Sequence, residues 1–375
     1  MNVIFLIGSV QALFFAILIF NKKGKNISDI ILGVWMLMFA IQLIFPFLVY
    51  GENYKDYIQI AGSDVPLVVL YSAFLYVYAN ALIVRENKFQ KKWLWHILPF
   101  VIVFLTMIPY WQISIEDKIA IYENRMQMPG YFFWLPSIIV LFSAIYIFLT
   151  LRLLNQHRKD IKKEYSYEKN INLIWLRNLI IAIIIVTVLI TTEAIILEMR
   201  GITIFQGDFV LYAFLVVLIY VIGYWGYKQG RIFVYGNQVK SNVSSKKEKK
   251  DEPNFITINK QDQAFIEQLK AFMENEKPYL DNELNLYQLS SGLNVSTTYL
   301  SSILNNSLHT NFYGFVNQYR VKEVQQRICR NEQQNFTLLS IAYDSGFNSK
   351  ASFNRIFKEV TGMTPSEYQK SGKIF

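Results

Sequence analysis

Asp344 to Val360 reads DSGFNSKASFNRIFKEV, and its spacing decides how the last third of the chain folds. Phe353, Ile356 and Phe357 recur at i, i+3 and i+4, the interval that lines one face of an α-helix. The opposite face then carries Lys350, Ala351, Asn354, Arg355 and Lys358. Such a face can reach base edges and phosphates, because arginine reads guanine bidentately and asparagine offers paired hydrogen bonds. Gly346 suits the sharp turn before this helix, and Ser349 is placed to cap its N-terminus.

The same plan occurs once more upstream. A helix with Leu286 and Leu289 breaks at Gly292, and a second starts at Ser296 with Tyr299, Leu300, Ile303 and Leu304 facing inward. In the downstream copy the first helix carries Leu338, Leu339, Ile341 and Ala342 and breaks at Gly346. Gly292 and Gly346 are both expected to take the left-handed conformation that sets two helices at a steep angle. Beyond Gly362, Thr364 to Glu367 (TPSE) has the pattern of a capping box with Pro365 at the first helical position.

Ile341 to Lys370, IAYDSGFNSKASFNRIFKEVTGMTPSEYQK, and Glu276 to Leu304, EKPYLDNELNLYQLSSGLNVSTTYLSSIL, together resemble the DNA-binding domain of the AraC/XylS family of bacterial transcription regulators. The resemblance implies two helix-turn-helix units joined by a long helix, here Phe312 to Cys329, whose second helices enter successive major-groove segments of double-stranded DNA. By position, it assigns Thr298, Ser301 and Ser302 to the first recognition helix, and Ser349, Lys350, Ala351, Asn354, Arg355 and Lys358 to the second. The first departs from the pattern, with no Lys or Arg from Asp281 to Tyr319. Gln261 to Asn311 holds two basic residues against six acidic, whereas Phe312 to Phe375 holds nine against five. Grip on phosphates, which dominates affinity for DNA and its salt dependence, is therefore expected from the second half.

The rest of the chain has a different character. Hydrophobic residues make up 53% of the 375 residues and aromatic ones 16%, more than a water-soluble chain usually carries. Seven mostly apolar runs are long enough for a hydrocarbon core of roughly 30 Å: Asn2 to Phe20, Asp29 to Tyr50, Pro66 to Val84, Trp93 to Trp111, Tyr131 to Leu151, Asn178 to Glu198 and Phe209 to Tyr227. Aromatic residues mark the span ends, with Trp93, Trp95, Tyr110 and Trp111 around the fourth, Tyr131 and Trp134 opening the fifth, and Tyr224, Trp225 and Tyr227 closing the seventh. The first run lacks a basic leader and a small-residue cleavage site, so it is read as retained. The loops after the first, third and fifth runs hold fourteen Lys and Arg residues, and the intervening loops hold four. By the positive-inside rule the N-terminus is outside and everything after Tyr227 is cytoplasmic.

These readings give an all-α chain: a seven-transmembrane helix bundle over residues 1–227, a juxtamembrane segment and flexible linker over 228–254, and a domain of two helix-turn-helix units over 255–375. Asn237 to Asn254 is polar, charged and without apolar periodicity, as a tether would be. Polar residues inside spans are costly, which singles out Gln11, Gln42, Asn80 and Glu193 as candidates for sensing a signal; an interhelical hydrogen bond is the plainer role for each. The single cysteine, Cys329, excludes an intrachain disulfide and is expected in the core, and three scattered histidines offer no metal-ligand spacing. No cofactor, metal or catalytic group is expected. The partners expected are double-stranded DNA, the lipid bilayer and an unidentified small-molecule or membrane signal, with a homodimer as an option. The competing reading is a transporter or membrane enzyme with an attached regulatory domain; it lacks paired intramembrane carboxylates, a nucleophile motif and an obvious repeat of broken helices.

Overall fold

The computed structural model describes residues 3–84, 88–123, 125–127, 129–130, 134–168, 171–199, 208–229, 260–330, 332 and 336–371, without the side chains of 190, 191, 193–199, 208–212 and 260. The linker expected over 237–254 and Tyr131 lie outside these residues. Among the described residues every regular element is helical, and Tyr165 and Asn285 form one isolated β-bridge. The chain divides into two compact units, Met1–Asn155 with Leu173–Val243, and Gln156–Asn172 with Ser244–Phe375.

The first unit holds α1 (Val3–Phe20), α2 (Ile27–Val49), α3 (Tyr54–Tyr57), α4 (Val65–Val68), α5 (Leu70–Ile83), α6 (Leu98–Trp111), α7 (Ile115–Tyr122), most of α8 (Leu135–Glu164), α9 (Ile174–Met199) and α10 (Asp208–Lys228). Among the described residues, five helical stretches are long and apolar enough to cross a membrane: Val3–Phe20, Ile27–Val49, Val65–Ile83, Lys91–Trp111 and Leu135–Glu164. The described apolar parts of α9 and α10 are shorter, Ile174–Leu189 and Ala213–Lys228, so five of the seven expected runs meet that description. The outward faces are greasy. Leu6, Val10, Phe14 and Ile17 of α1 are exposed while Ala12, Phe15 and Ile19 are buried, an arrangement suited to lipid and not to water. Small residues bring the helices together, as expected where lipid removes the hydrophobic drive between them. A Cβ added to Gly223 of α10 would stand 2.5 Å from the Phe15 ring, and one added to Gly226 would stand 2.4 Å from Leu32.

The second unit holds α11 (Lys260–Asn275), α12 (Leu286–Gly292), α13 (Thr297–Ser302), α14 (Phe312–Cys329), α15 (Leu338–Asp344), α16 (Lys350–Thr361) and α17 (Pro365–Ser371), together with Gln156–Asn172. Its apolar residues form two clusters, and α14 serves both. Phe312, Phe315 and Val316 pack with Leu269, Leu289 and Leu300 in one, while Tyr313, Val321, Val324 and Ile328 pack with Ile341, Phe353 and Phe357 in the other. Ser296, Ser349 and Thr364 each accept a backbone N–H three residues on, at 3.1, 3.2 and 3.3 Å. The Thr364 N–H donates in return to Glu367 Oε2 at 2.8 Å, completing the box.

Between the two clusters lies Arg320, 1% exposed. All five of its N–H groups find acceptors: Nε donates to the Tyr279 carbonyl at 2.8 Å, Nη1 to the Ser166 carbonyl at 2.9 Å and Asn317 Oδ1 at 3.3 Å, and Nη2 to Ser166 Oγ at 3.0 Å and the Asp281 carbonyl at 2.7 Å. Burial pulls this guanidinium down to about 10, still charged at neutral pH. Gly346 abuts the same site. Its φ is +91°, and an added Cβ would stand 2.2 Å from the Tyr279 carbonyl oxygen and 2.8 Å from Arg320 Nε.

Two expectations are corrected here. Gly292 is the last residue of α12 and is not left-handed; Asn294, at φ +55°, takes that role. What Gly292 supplies is room, since a Cβ there would meet the Phe272 ring at 2.9 Å. Cys329 is exposed, because Ile328, one residue earlier on α14, takes the core position.

Gly346→Ala is accordingly expected to destabilise this unit by about 3 kcal/mol or more, from positive-φ strain and a backbone clash together. Gly292→Ala should stay within about 1 kcal/mol, since the gain in helix propensity offsets a ring shift; urea unfolding of the two variants checks the contrast. A second prediction concerns Glu323 of α14. Burial pushes its carboxyl up, but hydrogen bonds from Lys277 at 3.1 Å and Tyr279 at 3.0 Å, with Arg327 nearby, leave it below its ordinary value. A depressed carboxylate stabilises the fold above its unfolded value, about 4.3, and that contribution disappears as pH falls through the folded value. Melting temperatures between neutral pH and about pH 3 should show wild type above Glu323→Gln at neutrality and the gap closing below that unfolded value.

Candidate nucleic-acid interface

α16 follows from its sequence period. Phe353, Ile356 and Phe357 are buried, while Lys350, Ala351, Asn354, Arg355 and Lys358 lie at the surface. Ser349 is half-buried at the cap, its Oγ donating to Ser352 Oγ at 2.9 Å. The helix ends at Gly362, whose φ of +76° and N–H to the Lys358 carbonyl close it. Three cations and an amide therefore share one open face.

Arg355 is engaged on that face. Its Nη2 donates to Tyr313 Oη at 2.7 Å and to Glu168 Oε2 at 3.2 Å, and its Nη1 reaches Glu359 Oε2 at 3.4 Å. Glu168 is 6% exposed and also has Lys162 Nζ 3.7 Å from its other oxygen. The Tyr313 ring gathers the cations, with Lys162 Nζ 5.3 Å and Arg355 Cζ 6.0 Å from its centroid. Burial, then the Glu168 charge, pushes the Tyr313 hydroxyl up to about 12. Burial alone would lower Arg355, but Tyr313 and Glu168 outweigh it and hold its guanidinium above the ordinary value. Lys162 lies in the last turn of α8 and Glu168 in the chain between α8 and α9, which Ser166 fixes in this unit through Arg320, through Asn317 Nδ2 to its carbonyl at 3.1 Å, and through Oγ to the Leu284 carbonyl at 2.6 Å.

The upstream helix is weaker in charge, and its two candidate serine hydroxyls each accept a hydrogen bond. Thr298 is exposed, and Ser301 and Ser302 are half-buried. Asn305 Nδ2 donates to the Ser301 carbonyl at 2.8 Å and to its Oγ at 3.2 Å, and Asn306 Nδ2 donates to Ser302 Oγ at 3.0 Å. These asparagines sit in a π-helical turn, Ile303–Ser307, that prolongs α13. Both are exposed amides that the sequence reading passed over; their i+4 spacing from the serines was the signal available.

Of the candidate sensing residues, Gln42 is buried and Tyr71 Oη donates to its Oε1. Asn80 Oδ1 accepts from Trp93 Nε1 at 3.3 Å, and Gln11 is half-buried on α1. Each hydrogen bond joins residues far apart along the chain, which is the plainer role. The Glu193 side chain lies outside the described residues. Among the described residues no group of three or more metal-ligating side chains comes together.

With this geometry, residues 289–371 match the family model described as a helix-turn-helix domain. An uncharacterised HTH-type transcriptional regulator of Staphylococcus aureus strain COL is 33% identical over 87 residues, 23% of this chain and 11% of that protein. The same values hold for a regulator of the same description from strain MSSA476. A solved structure of a protein of unknown function from Listeria innocua matches 29% of this chain and 97% of its own, at 24% identity and a TM-score of 0.25. The C-terminal region is thus an AraC-type helix-turn-helix domain, and it follows an N-terminal series of apolar helices.

Proposed function

We propose that the chain is a transcription regulator that binds specific double-stranded DNA while anchored in the cytoplasmic membrane, and that it responds to a signal received there. The observation that carries this reading is the open face of α16, where Lys350, Asn354, Arg355 and Lys358 stand clear of the buried Phe353, Ile356 and Phe357. On this reading α9 and α10 complete seven spans, the positive-inside bias puts the N-terminus outside, and α12–α13 and α15–α16 are two helix-turn-helix units. The second dominates affinity, because it holds the cations that release counterions from DNA. The first adds reading through Thr298, Ser301, Ser302 and the neighbouring asparagines.

Regulation follows from Glu168. This carboxylate and DNA need the same guanidinium, so Arg355 exchanges Glu168 for phosphate or base when the domain engages DNA. Glu168 lies on the segment joining two apolar helices, so a change in those helices alters how firmly it holds Arg355. The membrane part then acts on the DNA reader without a diffusible messenger, as one chain or as a pair.

The test is to crosslink the tagged full-length chain in cells and sequence the DNA recovered with it, beside a Lys350→Ala/Arg355→Ala variant of equal abundance in the membrane fraction. Discrete sites recovered with wild type and reduced at least tenfold in the variant are expected, since loss of two contacts worth about 1–3 kcal/mol each removes that much affinity. Sites of equal strength in both would overturn the assignment of α16.

A further inference from the structure

Between α2, α4, α6 and α7, in the first unit, lies a cavity of about 270 Å³. Its walls are mostly apolar and aromatic, including Val49, Ile58, Met107, Tyr110 and Tyr122, and two charged residues, Asp64 and Lys118, also line it. Lys118, on α7, is 4% exposed. Its Nζ has only long contacts, 3.4 Å to each of the Gln59 and Trp111 carbonyls, and it lies 5.3 Å from the centroid of the Tyr110 ring. Among the described residues no carboxylate pairs with it, and burial alone acts on its ammonium, pulling it below the ordinary value.

A buried ammonium without a counter-charge is costly, and a molecule bringing one carboxylate would relieve that cost. The cavity is slightly smaller than the usual range for small-molecule sites, about 300–1,000 Å³, so the occupant is small. Its body must be apolar, to match Met107 and the tyrosine rings. A dianion fits poorly, because the Asp64 carboxylate shares the walls. From this arrangement we infer that the cavity binds a small monocarboxylate with an aromatic or short aliphatic body, its carboxylate on Lys118 Nζ and its body against Met107, Tyr110 and Tyr122. By the charge bias of the loops α7 is on the outer side, so the ligand arrives from outside the cell. This names the class of signal and rests on the proposed function for its consequence, whereas binding itself is measured without DNA.

The experiment follows thermal unfolding of the full-length chain in lipid nanodiscs, with hexanoate, octanoate, phenylacetate and 3-phenylpropionate as probes and their primary amides as uncharged counterparts. Wild type, Lys118→Met and Lys118→Arg are compared. At least one acid is expected to raise the wild-type melting temperature by a few degrees at about 100 times its Kd, with its amide inactive and the response kept in Lys118→Arg. Lys118→Met should lose the response and, without ligand, melt above wild type, because it removes a buried unpaired charge. Absence of any acid response, an equal response to an amide, or a response retained in Lys118→Met would overturn the site. So would a ligand-free Lys118→Met that melts below wild type, which would make Lys118 a clamp on the two carbonyls. None of these outcomes depends on α16, so failure here and failure of DNA binding are separate results.

Discussion

The C-terminal unit is organised around one buried guanidinium. Arg320 spends its five donors on acceptors from three places: the turn at Tyr279 to Asp281, its own helix α14 at Asn317, and the carbonyl and hydroxyl of Ser166. A charge this deep is tolerated only when every donor is met. The requirement propagates outward. Gly346 must lack a side chain because the Tyr279 carbonyl and Arg320 Nε occupy its space, and this fixes how α15 turns into α16. Ser166 must stay in place, and this holds the α8–α9 connection in the DNA-reading unit and brings Glu168 to Arg355. The α16 face and the carboxylate that meets Arg355 therefore share one support.

Much of this was legible in the sequence, and the parts that were legible share a cause. Apolar residues at i, i+3 and i+4 defined the buried face of α16, and hydroxyls three residues before a free N–H defined the caps at Ser296, Ser349 and Thr364. Such signals are local. What stayed hidden depends on residues far apart in the chain. Nothing in the neighbourhood of Arg320 says that its acceptors lie 154 residues upstream at Ser166, and nothing near Glu168 points to Arg355. The misassigned turn at Gly292 has a different origin: glycine permits positive φ without requiring it, and Asn294 two residues on was equally suited. The membrane candidates show the same division. Polarity within a span selected Gln42 and Asn80, yet Tyr71 and Trp93 partner them, whereas Lys118 lay in a loop where a basic residue attracts no notice and only packing reveals its burial.

The two units place opposite demands on charge. In the apolar helices a polar group is costly unless it finds a partner within the protein, and glycines let α10 approach α1 and α2 closely. On the proposed reading the cations of α16 serve an outside partner, and Arg355 is held without being buried, at 40% side-chain exposure. The Glu168 end of the pair is buried, with Lys162 Nζ 3.7 Å away as a second counter-charge, and on the proposed reading the half-open guanidinium alternates between this carboxylate and the phosphates or bases of DNA.

That exchange is the centre of the account, and neutralising Glu168 tests it most directly. The affinity of the full-length chain for a DNA site recovered from cells would be measured by fluorescence anisotropy for wild type, Glu168→Gln and Glu359→Gln. The last removes the same charge from an exposed partner of Arg355 on α16 itself. Competition between Glu168 and DNA predicts that Glu168→Gln binds about tenfold tighter than wild type, equivalent to about 1.4 kcal/mol, and clearly tighter than Glu359→Gln. Equal affinity for the two variants, or weaker binding by Glu168→Gln than by wild type, would contradict it and leave the contact with Arg355 a structural one.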